Sequence, residues 1–226
     1  MRHRLRGPGR GAPPPIVTTM TTGHDRITRP AAVLVDADGV IQFPPTDWQE
    51  QLHALGGPQF VTDCFEVEQR SLRGDGDFRA HLEDYLRQHQ LSCTVDDVLA
   101  PWLTIRPDPE ALHIVVQVRE QGTPCYLATN QQAVRAAHMR ATLRYEDVLD
   151  GCFYSYELGV AKPDPEYFRR IAARLALRAE ELLFVDDRPD NVAAARAVGL
   201  AAEVIPPQGH LASLREIFTA YGLLGV

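Results

Sequence analysis

The sequence predicts an α/β protein whose core is a doubly wound parallel sheet. Short apolar runs recur along the chain, and such runs are typical of strands that are buried on both faces. Helical patterns separate most of them, and strands that alternate with helices predict βαβ units and therefore a parallel sheet. The predicted strands span residues 31–35, 125–128, 152–154, 182–185 and 202–205.

Capping residues predict where the helices between these strands begin. Asp108 precedes Pro109, and an acceptor side chain followed by proline is a common helix start. Asp164 with Pro165 repeats the arrangement. A further capped helix is predicted over residues 190–199, where Asp190 is the candidate cap and Gly199 lies at the end.

A helical insertion is predicted between the first two strands. Apolar residues from Phe78 to Leu86 follow a helical spacing behind Asp77, and the segment from Thr94 to Asp97 is similar to a capping box. No convincing strand pattern occurs in this part of the sequence. We therefore predict an α/β core over residues 30–46 and 106–226, with a helical cap over 47–105 that is placed to cover the carboxyl ends of the strands.

The composition limits the function classes. Residues 1–29 are rich in Arg, Gly and Pro and lack apolar periodicity, so we expect a disordered tail, within which Met20 is a candidate start. The net charge of −7 argues against nucleic acid as a main partner. No membrane-length apolar run or secretory signal pattern is present, and the four cysteines are widely spaced, so we expect a soluble cytoplasmic protein with reduced thiols and no membrane partner.

Two carboxylates lie where the chain leaves the first predicted strand. Asp36 and Asp38 are separated by one residue, and Gly39 allows a tight turn after them. A carboxylate can attack a phosphoryl group only if a cation offsets the repulsion between two anions. We therefore predict Asp36 as a nucleophile with a metal partner, and Asp38 as a general acid and base whose backbone carbonyl can also bind the metal. Taken alone, such a pair is more often a helix cap or a turn.

Polar residues also follow the second predicted strand. Thr129 and Asn130 present a hydroxyl and an amide, which can donate hydrogen bonds to a phosphate without adding charge. An ordinary helix N-cap is the alternative role for Thr129. We predict both residues as phosphate ligands.

Lys162 is the single lysine in a chain that contains 22 arginines. It precedes Pro163, which favours an extended backbone at the lysine and thereby a defined direction for its side chain. A solvated surface lysine would be the usual interpretation, but this chain uses arginine at every other basic position. We infer that a compact point charge is required here.

Adjacent carboxylates follow the fourth predicted strand. Asp186 and Asp187 would repel each other at a strand end unless a cation were present. Oxygen ligands from two strand ends suit Mg²⁺, which binds a few carboxylates and retains water and substrate oxygens. Asp190 and Asn191 are candidates for orienting these ligands.

These segments, in this order, resemble the haloacid dehalogenase superfamily of hydrolases over residues 31–206. The resemblance implies a Rossmann-like sheet of order 5-4-1-2-3 and a small helical cap after the first strand. Residues 108–199 look like the subgroup that contains sugar-1-phosphate phosphatases and the N-terminal phosphatase domain of epoxide hydrolases. The implied catalytic residues are Asp36 as nucleophile, Asp38 as general acid and base, and Lys162. The implied phosphate ligands are Thr129, Asn130 and Lys162, and the implied Mg²⁺ ligands are Asp36, Asp38, Asp186 and Asp187, with Asp187 the favoured direct ligand.

The expected function is Mg²⁺-dependent hydrolysis of small soluble phosphate monoesters through an aspartyl-phosphate on Asp36. The alternatives are a phosphomutase acting on a sugar phosphate, a dehalogenase, and a non-catalytic binding protein of the same fold. The dehalogenases that the family is named for carry Tyr at the position of Asp38, which favours phosphate chemistry. In the cap, Arg70, Arg73 and Trp102 could reach a ligand, although a solvated arginine and a core tryptophan are the favoured interpretations.

Overall fold

The computed structural model describes residues 28–225. Of the predicted tail, only residues 28 and 29 belong to the described residues. The rest of the tail, including Met20, lies outside them. Arg29 donates hydrogen bonds to the backbone oxygen of Gln121 and to Oγ1 of Thr123, each at 3.0 Å. This contact joins the chain entering the sheet to the loop before the second core strand.

Five parallel strands form the central sheet, which confirms the predicted fold class. Its order is β5-β4-β1-β6-β7, and every neighbouring pair is parallel. When only these five strands are numbered along the chain, the order is 3-2-1-4-5, which is the expected 5-4-1-2-3 counted from the opposite edge. The strands are β1 (Ala32–Val35), β2 (Gln42–Phe43), β3 (Arg106–Pro107), β4 (Cys125–Thr129), β5 (Gly151–Tyr154), β6 (Leu182–Asp186) and β7 (Ala201–Val204).

Eleven α-helices are present in residues 28–225, together with a π-helical turn over Met139–Leu143 and a 3-10 turn over Ala179–Glu181. They are α1 (Trp48–Gly56), α2 (Phe60–Ser71), α3 (Phe78–Gln88), α4 (Val95–Leu103), α5 (Pro109–Glu120), α6 (Ala133–His138), α7 (Tyr145–Val148), α8 (Ser155–Leu158), α9 (Pro165–Leu175), α10 (Pro189–Ala197) and α11 (His210–Ala220).

The predicted caps of α5 and α9 are confirmed, whereas the predicted start of α10 is wrong. Asp108 accepts hydrogen bonds from the N–H groups at the start of α5, and Asp164 does the same for α9. Helix α10 begins at Pro189 instead of behind Asp190. Proline already has the backbone angle of a first helical residue, and the Asp190 carboxylate pairs with the guanidinium of Arg188 at 3.0 Å.

Alternating side chains of the sheet build two hydrophobic layers. Val33 and Val35 of β1 face a cluster that includes residues of α5 and α11. Leu34 lies between them in sequence and faces the opposite cluster, which includes residues of α9 and α10. Because successive side chains of a strand point to opposite faces, a continuous apolar run covers both.

Helices α1–α4, residues 48–103, share an apolar cluster of their own, which includes Leu52, Phe60 and Leu82, and we call this segment the cap. The capping box of Thr94 and Asp97 at the start of α4 is present as expected. The short strands β2 and β3 pair antiparallel where the chain enters and leaves the cap. The sequence did not predict this ribbon because two residues are too few to display a period.

Within residues 28–225, no helix combines the length and the apolar character that crossing a bilayer requires.

Candidate active site

A cavity of about 530 Å³ lies between the cap and the carboxyl ends of the central strands. Open α/β sheets bind ligands at this edge, because the strand order reverses there and leaves a crevice. Most of the predicted site residues line the cavity, and Asp186 is fully buried close to them. The predicted residues that line it are Asp36, Asp38, Thr129, Asn130, Lys162 and Asp187.

Lys162 is buried at the centre of this group and has three oxygen partners. Its Nζ lies 2.8 Å from Oδ1 of Asp36 and 2.6 Å from Oδ2 of Asp186. A third hydrogen bond of 2.9 Å goes to the backbone oxygen of Ala128. An ammonium group carries three donors around one atom, whereas the donors of arginine are spread over a planar fork. The geometry therefore explains why the chain departs from arginine at this position.

The carboxylates outnumber the ammonium group beside them. Oxygens of Asp36, Asp186 and Asp187 lie within 4.8 Å of one another. Burial raises the pKa of Asp36 to about 8. The positive charge of Lys162 lowers this pKa, and the negative charge of Asp186 opposes that effect. Burial likewise raises the pKa of Asp187 to about 6, with Asp186 adding to the effect. A divalent cation would offset this excess, and an all-oxygen donor set of this kind fits Mg²⁺.

Asp186 is held in one orientation by several donors. The side-chain amide of Asn191 donates to both carboxylate oxygens at 3.1 and 3.0 Å, and the backbone N–H of Arg188 donates at 2.8 Å. Asn191 thus has the orienting role that the sequence indicated. Asp190 does not, because its carboxylate is engaged by Arg188.

Gly39 is required for the approach of Asp187. Its φ of +80° lies in the left-handed region that side chains disfavour. A Cβ atom at this position would lie 2.5 Å from Oδ2 of Asp187, which is far inside van der Waals contact. The glycine therefore allows the loop after β1 to pass close to the carboxylate of Asp187.

Asp38 accepts hydrogen bonds on both of its carboxylate oxygens. Arg135 of α6 donates to Oδ2 at 2.8 Å and to Oδ1 at 2.7 Å. The amides of Gln42 and Gln131 donate at 3.0 and 2.9 Å. Burial opposes ionisation, but the charge and hydrogen bonds of Arg135 outweigh it and lower the pKa of Asp38. The carboxylate is therefore ionised in this arrangement, and it lies outside the group formed by Asp36, Asp186 and Asp187.

Thr129 and Asn130 lie at the end of β4, as expected, but the Asn130 side chain is already engaged. It exchanges two hydrogen bonds with the backbone of Lys162, one from Nδ2 to the oxygen at 2.8 Å and one to Oδ1 from the N–H at 2.9 Å. Asn130 thereby positions the segment that carries the lysine. The alternative role of Thr129 as a helix cap is excluded, since Gln132 caps α6.

Several cavity residues were not anticipated from the sequence. Arg135 connects Asp38 to the cap, because its Nε also donates to the backbone oxygen of Trp102 at 3.2 Å. Glu68 of α2 is buried nearby, and burial raises its pKa to about 7, although the charge of Arg135 opposes the shift. Neither residue has a local sequence signal, since each lies inside a helix and neither follows an apolar strand.

Comparisons with known proteins identify the family of this chain. A family model of haloacid dehalogenase-like hydrolases matches residues 19–199. A sesquiterpene phosphatase of Aspergillus oryzae is 36% identical over 97 residues, which cover 42% of this chain and 49% of that protein. A phosphatase of Mycobacterium tuberculosis is 30% identical over 103 residues, which cover 45% and 48%. The chain therefore spans about half the length of these relatives.

A solved structure with a similar fold is a HAD family enzyme of Bacteroides thetaiotaomicron in complex with magnesium and inorganic phosphate. The TM-score is 0.69 over 78% of this chain and 94% of the other, at 18% identity, which shows a shared fold. The family model covers well over half of the sequence, and its residues include every member of the candidate site. The chain therefore belongs to the haloacid dehalogenase-like hydrolase family.

Proposed function

We propose that this protein is a Mg²⁺-dependent phosphatase that hydrolyses monoesters of small phosphorylated metabolites, with Asp36 as the nucleophile. The observation that carries the proposal is the buried contact of Asp36 with Lys162, next to Asp186 and Asp187 and open to the cavity. This arrangement combines an oriented carboxylate with the positive charge that a dianionic phosphate requires.

In the proposed reaction, a carboxylate oxygen of Asp36 attacks phosphorus and the bond to the alcohol oxygen breaks. For this step Asp38 first takes up a proton from solvent or from the substrate phosphate, and it donates that proton to the departing oxygen, so that the alcohol leaves neutral. Asp38 then takes a proton from water, which attacks the aspartyl-phosphate and releases inorganic phosphate. The ionised state that Arg135 stabilises is the one required for this second step.

The metal would be held by Asp36 and Asp187, with Asp186 and the backbone carbonyl of Asp38 as further candidates. When bound, Mg²⁺ would neutralise charge on the phosphoryl oxygens. Lys162 orients Asp36, and Thr129 and Asn130 lie where a phosphate could contact the end of β4. Phosphatase names among the relatives support the reaction class.

The direct test is hydrolysis of p-nitrophenyl phosphate with and without Mg²⁺. Asp36→Asn should remove activity, because the amide is not a nucleophile. Asp147→Asn is a matched control, since this carboxylate lies on the surface and pairs with Arg144. Full activity of Asp36→Asn, or activity insensitive to a chelator, would overturn the proposal. Isomerised sugar phosphate without free phosphate would assign a phosphomutase instead.

We also propose a cytoplasmic location. Cys64, Cys93, Cys125 and Cys152 are all free thiols, as is usual for proteins of a reducing compartment. Fractionation of the native source should place the protein with cytoplasmic markers, and recovery with a membrane or an oxidising compartment would contradict this.

A further inference from the structure

The cavity is chemically divided. Its floor carries Asp36, Lys162 and Asp187 at the ends of the strands. Its opposite wall is formed by the cap, where three aromatic rings from α1, α2 and α4 are in contact. The ring centres of Trp48 and Phe65 are 5.7 Å apart, and those of Phe65 and Trp102 are 5.5 Å apart, both edge to face. The cavity is thus charged at one end and aromatic at the other.

The aromatic wall is not explained by the packing of the cap alone. Trp102 also contacts Phe78 in the cap cluster, so its burial has a structural role. Phe65 differs, because 38% of its surface is exposed where it lines the cavity. Among residues 28–225, Val148 is the other exposed large apolar side chain. An exposed aromatic group at the mouth of a concave site is a feature of ligand contact surfaces.

Polar groups are few on this wall. Besides Trp48, Phe65 and Trp102, the cap lines the cavity with Leu72 and Pro101, and only Glu68 and Gln69 are polar. The positive charge of Arg135 acts on Glu68, and Arg135 itself already donates hydrogen bonds to Asp38 and to the backbone oxygen of Trp102. A hydroxyl-rich ligand would need several partners there, because buried hydroxyls without hydrogen bonds are costly. A hydrocarbon group needs none.

We propose that the substrate is a phosphate monoester of an apolar alcohol, whose hydrocarbon part packs against Trp48, Phe65 and Trp102 while its phosphate reaches Asp36. This assignment rests on the proposed phosphatase function and narrows its substrate class. The distribution of charge sets the orientation, since Lys162 and the Mg²⁺ that the carboxylates would hold attract the phosphate, and the hydrocarbon leaves water at the aromatic end.

Binding can be measured without turnover. Trp48 and Trp102 are the two tryptophans of the chain and both line the cavity, so tryptophan fluorescence reports its occupancy. The full-length Asp36→Asn variant is titrated with octyl phosphate, ethyl phosphate and glucose 6-phosphate in the presence of Mg²⁺. Each buried methylene contributes about fourfold in affinity, so octyl phosphate should bind at least about tenfold more tightly than ethyl phosphate even when few of its methylenes are buried.

Kinetics of the wild-type enzyme and of Phe65 variants provide the second measurement. Wild type should show a higher kcat/KM for octyl than for ethyl phosphate. Phe65→Ala should reduce this ratio at least about fivefold, and Phe65→Leu should reduce it less, because leucine retains part of the apolar contact. Val148→Ala is the matched control, since Val148 is equally exposed and lies outside the cavity, and it should leave the ratio unchanged.

The outcomes separate this inference from the function on which it rests. Equal affinity for octyl and ethyl phosphate, a preference for glucose 6-phosphate, or an unchanged ratio in Phe65→Ala would overturn the apolar assignment while hydrolysis still supports a phosphatase. Absence of hydrolysis of every ester would overturn the phosphatase function, and selective fluorescence response to octyl phosphate would then still identify an apolar anion site.

Discussion

Arg135 and Asp38 form a two-point ion pair, with distances of 2.8 and 2.7 Å, although 97 positions separate them in the sequence. Paired hydrogen bonds of this type are among the strongest that a carboxylate makes. Arg135 also donates to the backbone oxygen of Trp102 in the cap. The pair therefore connects the candidate proton-transfer residue to α4.

Removal of this ion pair should change the pH dependence of the reaction. In Arg135→Gln the cation that lowers the pKa of Asp38 is lost, so the protonated form is favoured and the pKa of Asp38 rises. The base form then requires a higher pH, and the acidic limb of kcat should move upward by about one pH unit. Arg196→Gln, which breaks a surface pair with Glu203, is the control. An acidic limb at the wild-type position would show that Asp38 does not control it.

Lys162 should not be replaceable by arginine. Its three acceptors surround one nitrogen in a fully buried position, which a guanidinium cannot reproduce. Lys162→Arg and Lys162→Met should each lower kcat by about 100-fold or more, as loss of a preorganised electrostatic group does. Phosphatase assays and thermal unfolding should be compared. Activity of Lys162→Arg near that of wild type would contradict the requirement for a point charge.

Glu68 should make stability dependent on pH. Burial raises its pKa in the folded protein to about 7, above the ordinary value of 4.5. Between these values the folded chain binds a proton that the unfolded chain has lost, so stability falls as the pH rises from about 4.5 to about 7. Glu68→Gln should therefore be more stable than wild type at pH 8, by roughly 1–3 kcal/mol, and this difference should vanish near pH 4.5.

Urea unfolding at several pH values measures this effect. Glu66→Gln is a matched control, because Glu66 lies on the same helix, α2, and is exposed. If the difference in unfolding free energy between Glu68→Gln and wild type is the same at low and high pH, ionisation of the Glu68 carboxyl group is not the cause of that difference.

Gly39→Ala should weaken metal binding more than it weakens folding. The new Cβ would overlap Oδ2 of Asp187 at 2.5 Å, so the carboxylate must move. We expect the Mg²⁺ concentration for half-maximal activity to rise about tenfold or more, as for other changes that displace a ligand. Gly122→Ala isolates the contact, because Gly122 also has a positive φ but no atom near its Cβ position. An equal loss in both variants would assign the effect to backbone strain.

Much of the candidate site could be predicted from the sequence because its residues follow apolar strands. Parallel strands end at one edge of the sheet, so Asp36, Thr129 and Asp186 are brought together by the fold class itself. The lysine was indicated by composition, since it is the single exception among 22 arginines. Asp190 was misassigned, because its partner depends on the side-chain direction at the start of α10.

The sequence by itself determined the parallel sheet, the helices α3 and α4 between its first two strands and the carboxylates at the strand ends, since each follows from local periodicity and capping. The tertiary structure alone decided that Arg135 holds Asp38, that Asn130 supports Lys162, and that Trp48 and Phe65 form one wall of the cavity. These relationships depend on how α6 and the cap dock on the sheet. Contacts between distant segments leave no periodic trace in the sequence, and so they become visible only when the chain is folded.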